Sequence, residues 1–207
     1  MCGRYTLRKV PSVEGLDARD LLAPWEGMER FNVAPTQKMP VVRVNGRPES
    51  AELAWGIRAR WQQKSARPLI NARSETAATK PTFRESVARR RCLVPTDGFY
   101  EWRRAVSPPQ PHFFHLPNED PFWFAGIWEN DAYLILTTAP NEVMRPIHDR
   151  MPVILDEANA ASWLGDSPLD RETLDRLCSP CPAEKLSCRE IGRRVNNARF
   201  DGPECLV

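Results

Sequence analysis

Proline occurs twenty times in this 207-residue chain, about twice its usual share. Inside a helix, proline removes a backbone donor and clashes with the preceding turn. A chain punctuated this densely is not built from long helices; it is expected to fold as short elements joined by many turns. Hydrophobic residues at 42% and charged residues at 27% exclude wholesale disorder, and the length suffices for one domain spanning 1–207 with a sizeable core. No apolar run approaches the roughly 18 to 20 residues of a membrane span. The start, Met1-Cys-Gly-Arg-Tyr5, lacks an apolar secretory core, which predicts a cytoplasmic protein.

Strand signals dominate the middle of the chain. Pro40-Val-Val-Arg-Val44 runs into Asn45-Gly46, a hairpin turn pair, and Ala51-Glu-Leu-Ala-Trp55 returns. Arg91–Pro95 leads through Asp97-Gly98 into Phe99–Trp102. Phe122–Trp128 and Tyr133–Thr138 pair across Glu129-Asn-Asp131, and Met151–Leu155 closes the series. His112 to Leu116 reads as a further strand after a proline-rich loop. Helical patterns cover Val13–Leu22, Thr82–Arg89, Asn141–Ile147, Asp156–Leu164 and Asp170–Cys178, with Asp156 and Asp170 as N-caps. Without strict alternation of strand and helix, the class is α+β: a mainly antiparallel sheet or barrel-like core flanked by short helices.

Six cysteines stand at 2, 92, 178, 181, 188 and 205. Cys178, Cys181 and Cys188 offer three thiolates but no clear fourth ligand, so unpaired thiols fit better than zinc. No metal site and no cofactor is expected. Net charge is only +2, yet it is unevenly spread. Ile57–Arg73 holds Arg58, Arg60, Lys64, Arg67 and Arg73 without an acid, and carries Trp61; Arg4, Arg8 and Lys9 lie in an acid-free start. Cations beside an aromatic platform suit single-stranded nucleic acid, and equally suit a solvated surface.

Chemistry concentrates at a few positions. A cysteine directly after Met1 becomes, once Met1 is removed, a 1,2-aminothiol with an amine pKa of about 8 and a thiol pKa of about 8.5. Such a group closes on an aldehyde as a thiazolidine, which no internal cysteine can do; most second-position cysteines do nothing of the kind. His148 lies in Ile147-His-Asp-Arg-Met-Pro152, where it serves either as a helix C-cap or in proton transfer tuned by Asp149 or Arg150. Glu101 alternates with aromatics in Phe99-Tyr-Glu-Trp102; if it faces inward it suits acid–base work, if outward it is solvated. Asn71 and Arg73, in Asn71-Ala-Arg-Ser-Glu75, either hold substrate oxygens and phosphate or lead into a helix cap. His112 and His115, three apart on a strand, point to opposite faces and make a poor chelating pair.

Taken together, Met1-Cys-Gly-Arg4, Phe31-Asn-Val-Ala-Pro-Thr-Gln37, Asn71-Ala-Arg-Ser-Glu-Thr76, Val94-Pro-Thr-Asp-Gly-Phe-Tyr-Glu-Trp102 and Ile147-His-Asp-Arg-Met-Pro152 resemble, in order and over nearly the whole chain, the SRAP (SOS response-associated peptidase) family. The resemblance implies a sensor of abasic sites in single-stranded DNA. After autoproteolytic removal of Met1, Cys2 would form a covalent thiazolidine crosslink with the sugar aldehyde, protecting the lesion, and the crosslink would later be reversed. It further implies that Asn71 positions the N-terminus, that Glu101 and His148 move protons, and that Arg4, Arg73 and Arg150 hold backbone phosphates while Trp61 stacks on a base. The family fold is mainly antiparallel β with flanking helices. A monomer, cytoplasmic and nucleoid-associated on DNA, would suffice, and no motif for a replication-clamp partner is visible. Two other readings remain: a thiol peptidase acting on other proteins with His148 as base, and a non-catalytic single-strand binding module. The Arg-Ala-Arg run after Ile57 and the Cys178/Cys181/Cys188 group fall outside the family pattern.

Overall fold

The computed structural model describes residues 2–14, 21–25, 27–59, 61–63, 65–103, 105–165 and 167–207. Thirteen strands are assigned among them: β1 (Arg4–Leu7), β2 (Arg30–Val33), β3 (Lys38–Asn45), β4 (Arg47–Trp55), β5 (Asn71–Arg73), β6 (Arg91–Thr96), β7 (Gly98–Arg103), β8 (Gln110–His115), β9 (Phe122–Glu129), β10 (Ala132–Thr138), β11 (Met151–Pro152), β12 (Ile154–Leu155) and β13 (Ser187–Glu190). The helices are short: α1 (Ser74–Ala77), α2 (Arg84–Arg89), α3 (Glu157–Trp163) and α4 (Arg171–Leu177). No helix among the described residues is long and apolar enough to cross a membrane. The α+β class, with a barrel-like core, is the observed one.

The strands form two sheets. A small one runs β13-β8-β7-β1-β2; the larger runs β11-β10-β4-β3-β6-β9-β12, with β5 on β10. β10 also pairs with β9, so β4, β3, β6, β9 and β10 close a five-stranded ring. The ring is antiparallel except at β10–β4, which is parallel, as is β10–β5. At Gly46 (φ +78°) the hairpin turns so tightly that Asn45 pairs with Arg47, a conformation that favours glycine. Gly126 is needed for a different reason: a Cβ there would lie 2.8 Å from Cys92 Sγ and 3.2 Å from the Leu134 carbonyl, inside the β6–β9–β10 contact.

Alternation along these strands separates two cores. One face packs Leu93, Trp123, Ile127, Leu134 and Leu136 against Trp163 and Leu174 of the helices. The other gathers Met39, Val41, Trp55, Phe124 and Tyr133 with Tyr5, Phe99 and Phe114 of the small sheet, and includes Cys2. In that second core Tyr5 meets Trp55 edge-on at 5.2 Å and its hydroxyl lies 2.8 Å from that of Tyr133. Arg91, 2% exposed, is satisfied by the carbonyls of Val87, Ala88, Trp163 and Ser167, which ties α2 and α3 to β6.

Several expectations are refined. Asp156 caps α3 through Asn159 N–H and Asp170 caps α4 through Thr173 N–H. No helix forms over 141–147; this stretch is a run of turns, because Pro146 interrupts the ladder one turn after Asn141 Oδ1 caps it through the Met144 N–H. Met151–Leu155 splits into β11 on β10 and β12 on β9, bridged by Val153, whose N–H reaches the Leu136 carbonyl and whose carbonyl takes the Ala125 N–H. β6 and β7 are not a hairpin: the chain changes sheets at Asp97. Of the helical pattern at Val13–Leu22, positions 15–20 lie outside the described residues.

Asp97 is fully buried. Its Oδ1 accepts from Thr6 Oγ1 at 2.6 Å and from Arg8 N–H at 3.3 Å, and its Oδ2 accepts from Arg8 Nε at 2.6 Å. Removing one partner of a buried charge pair leaves the other uncompensated. Asp97→Ala is expected to cost about 3 kcal/mol, read by equilibrium denaturation; a loss under about 1 kcal/mol would show the pair to behave as a surface one.

Candidate active site

β1 pairs Arg4 with Tyr100 and Tyr5 with Phe99. One step further in that register, the start of the chain runs alongside Glu101. Cys2 is 1% exposed. Its carbonyl accepts from Asn71 Nδ2 at 2.8 Å, and its Sγ donates to the Arg4 carbonyl at 3.7 Å. Burial pushes the Cys2 thiol well above the ordinary thiol range, and the nearby Glu101 carboxylate pushes the same way. Glu101 faces inward and is 3% exposed; its Oε1 accepts from the Trp102 N–H at 3.2 Å.

Asn71 opens β5, opposite Ile135 of β10. Its Oδ1 is buried and has no partner among the described residues, so one face of this amide is occupied by Cys2 and the other is an open acceptor. Arg73, at the end of β5, pairs with Thr137 and is exposed. From the other edge of β10, β11 pairs with Thr137 and Thr138 and brings His148 and Arg150 to the same end. The His148 side chain is 11% exposed. Arg150 N–H donates to His148 Nδ1 at 3.0 Å, which requires a bare Nδ1 and leaves the proton on Nε2. Asp149 Oδ1 stands 2.9 Å from the same nitrogen and becomes its partner when the ring is charged.

The basic residues differ in availability. Arg150 forks onto Glu75, at 2.6 and 2.7 Å, and reaches the Thr137 carbonyl at 2.6 Å; this bond holds the Glu75 carboxyl below its usual range. Arg4 donates to Asn32 Oδ1 at 2.9 Å and to the Val195 carbonyl at 2.6 Å, and burial lowers its pKa. Trp61 is 70% exposed, bonds Thr82 Oγ1 at 3.2 Å and lines an open cleft of about 440 Å³ with Arg90 and Trp128. Arg60 and Lys64 of the basic stretch lie outside the described residues. Cys2, Asn71 and Glu101 thus form one group. His148, Arg150 and Arg73 meet at the β10 end beside it, and Trp61 stands outside these contacts. Cys178 and Cys181 pack in different cores, and burial pushes their thiols up to about 12 and about 11.

Sequence reasoning missed Glu75 as the clamp on Arg150, and Asn32, whose Nδ2 serves the Val195, Asn197 and Phe200 carbonyls. Each sits inside a quoted motif, Asn71–Thr76 and Phe31–Gln37, which was the available signal.

Fold and site together define a small β-ring protein that buries a second-position cysteine beside a carboxylate and an asparagine. The family model described as SOS response associated peptidase (SRAP) matches residues 1–198, and the chain belongs to that family. It is 34% identical over 221 residues to a Bacillus subtilis (strain 168) protein named abasic site processing protein YoqW, covering 100% of this chain and 99% of that one. It is 31% identical to abasic site processing protein YedK of Escherichia coli (strain K12), covering 100% and 99%. A crystal structure of a Bacteroides thetaiotaomicron protein shares the fold, with a TM-score of 0.78 at 23% identity over 99% of this chain and 98% of that one.

The Glu101 charge opposes ionisation of Cys2, so its removal lowers the thiol pKa and enlarges the thiolate fraction. Iodoacetamide at pH 8 is expected to label Cys2 faster in Glu101→Gln than in the wild type, followed by peptide mass mapping. An unchanged or slower rate would contradict the coupling.

Proposed function

We propose that this protein processes abasic sites in DNA by capturing the aldehyde of a single-stranded site covalently on Cys2. The observation that carries the reading is the Asn71 clamp: Nδ2 holds the Cys2 carbonyl at 2.8 Å while the bare Oδ1 offers an acceptor for the α-amine of a chain that begins at Cys2. Relatives named abasic site processing proteins, matched end to end, support the lesion as substrate.

The chemistry follows from the state of the thiol. With sulfur held protonated by burial and by Glu101, the amine is the first nucleophile. It adds to the C1′ carbonyl of the opened sugar and gives a carbinolamine. Protonation of the hydroxyl by the His148 imidazolium, whose Nδ1–H then faces Asp149 Oδ1, releases one water and leaves an iminium and a neutral imidazole. Sulfur then adds to the iminium carbon: the C–S bond forms, the C=N π pair returns to nitrogen, and the S–H proton passes to Glu101. The ring is a thiazolidine, and the same steps in reverse free the DNA. Arg73 would meet a flanking phosphate directly; Arg4 and Arg150 would do so from positions they already hold. Trp61 would stack on a base.

A peptidase reading asks for the opposite environment. A peptidase thiolate is stabilised by a neighbouring imidazolium or other positive charge, whereas the side chain charged against Cys2 is a carboxylate.

Incubation with a single-stranded oligonucleotide carrying one abasic site, followed by denaturing electrophoresis and intact mass, is expected to give a heat-stable adduct on Cys2. Cys2→Ala should give none, and Cys2→Ser only an imine trapped by borohydride. Asn71→Ala should slow the adduct by about 100-fold, the scale of a misplaced nucleophile. No adduct from a chain confirmed to begin at Cys2 would overturn the proposal.

A further inference from the structure

Three titratable side chains fall in one row across the small sheet. The register pairs Glu101 of β7 with His112 of β8, and His112 with Glu190 of β13. The β7–β8 ladder also pairs Phe99 with Phe114. Those rings stack at 5.0 Å and belong to the core that holds Cys2. Glu101 and His112 lie two residues from that pair, so the strand period puts both on the same inner face. Cys188, two residues before Glu190, packs against that core as well. Glu101 is 3% and His112 5% exposed, while the Glu190 side chain is 67% exposed. The row begins on the carboxylate beside Cys2 and ends in water.

The imidazole between them has a defined open position. His112 Nδ1 lies 3.1 Å from the Gln110 carbonyl, which only accepts, so Nδ1 carries the proton of the neutral ring. Nε2 is then the bare nitrogen, 3.6 Å from Glu190 Oε1. Two carboxylates share this ring's row, Glu101 as its register partner on β7 and Glu190 as its partner on β13, with the Cys2 thiol near Glu101. The nearby cations belong to the opposite face, where Arg189 lies over Phe113 at 5.4 Å and Arg194 over Phe200 at 5.6 Å.

We propose that His112 and Glu190 carry protons between Glu101 and solvent. The inference rests on the aldehyde-capture reading of Cys2 and Glu101. When sulfur adds to the iminium carbon, its proton goes to Glu101. Glu101 passes it to His112 Nε2, the ring becomes imidazolium, and the proton leaves through the Glu190 carboxylate to water. Crosslink reversal draws a proton inward along the same row. Glu101 is thereby reset without opening the buried site. His112 and Glu190 act through Glu101 and are positioning residues, not catalytic ones.

Two readouts test this on the full chain. Histidine-ring NMR should show the His112 ring signals displaced in both Glu101→Gln and Glu190→Gln, since each removes a carboxylate from the row that the register builds across this ring. Single-turnover adduct formation on the abasic oligonucleotide should slow roughly tenfold in His112→Gln and in Glu190→Gln with a flattened pH profile, and added imidazole should restore part of the rate of His112→Ala. Glu190 lies exposed on an edge strand, so its variant separates relay from folding. Unmoved His112 ring signals in Glu101→Gln, or a Glu190→Gln rate equal to wild type across pH, overturns the proposal. Absence of any adduct from the wild type would instead overturn aldehyde capture, and the NMR arm would still decide whether the row is coupled.

Discussion

The position of Cys2 depends on one buried carboxylate. Asp97 sits where the chain leaves the ring for the small sheet, and it takes hydrogen bonds from Thr6 and from both the backbone and side chain of Arg8. β1 has only four residues, too few for its ladder bonds alone to fix a chain terminus, and termini are the segments that fray first. Asp97 pins the far end of β1 to the corner shared by β6 and β7. The near end, Cys2, is pinned by Asn71 from β5. The cysteine is therefore held from two sheets at once, and the small sheet and the ring must both be formed before it has a place.

In the proposed reaction this arrangement sets the order of chemical events. A thiol in an apolar core beside a carboxylate keeps its proton, which protects it from oxidation and from attack on chance electrophiles, since the thiolate is the reactive form. In the proposed reaction the thiol acts only after a neighbouring amine has made a carbon electrophilic enough for it. The Tyr5–Tyr133 hydroxyl pair, at 2.8 Å and fully buried, adds to the same character: burial pushes both phenols up, so no negative charge is stored in this core except at its carboxylates.

Much of this architecture is legible in the residues themselves. Asn45-Gly46 and Glu129-Asn-Asp131 mark hairpins because their geometry is local, and Asp156 and Asp170 mark helix starts for the same reason. The alternation Phe99-Tyr-Glu-Trp102 correctly places Glu101 with Phe99 on one face. Ring closure through the β3–β6 pairing and the parallel β10–β4 contact was not legible, because it depends on pairing partners far apart in the chain. The same applies to His112. Its separation from His115 excludes a chelating pair, but only the pairing of β7 with β8 reveals that it faces Glu101. The run at Asn141–Ile147 misled because its apolar spacing suits a helix and Asn141 caps a first turn through the Met144 N–H, whereas Pro146 withholds the next ladder donor.

The cations at the site also differ in a way that composition hides. Arg150 is engaged on three acceptors, two of them Glu75 oxygens, in the bidentate geometry that gives the strongest charge-assisted bonds. A phosphate cannot take this guanidinium without displacing a carboxylate or lying beside one. What Arg150 supplies without any such exchange is its peptide N–H, which lies 3.0 Å from His148 Nδ1 and orients the ring. Arg4 is similarly committed to Asn32 and Val195, and so braces the segment around Val195 against the small sheet. Arg73 alone of the three is exposed and has no ion pair within 4 Å among the described residues. In the proposed reaction it is the first cation a flanking phosphate meets, while Arg4 and Arg150 keep the nucleophile and the acid in register. In that reading the basic residues divide between meeting the nucleic acid and holding the site still, and Glu75 determines on which side Arg150 falls.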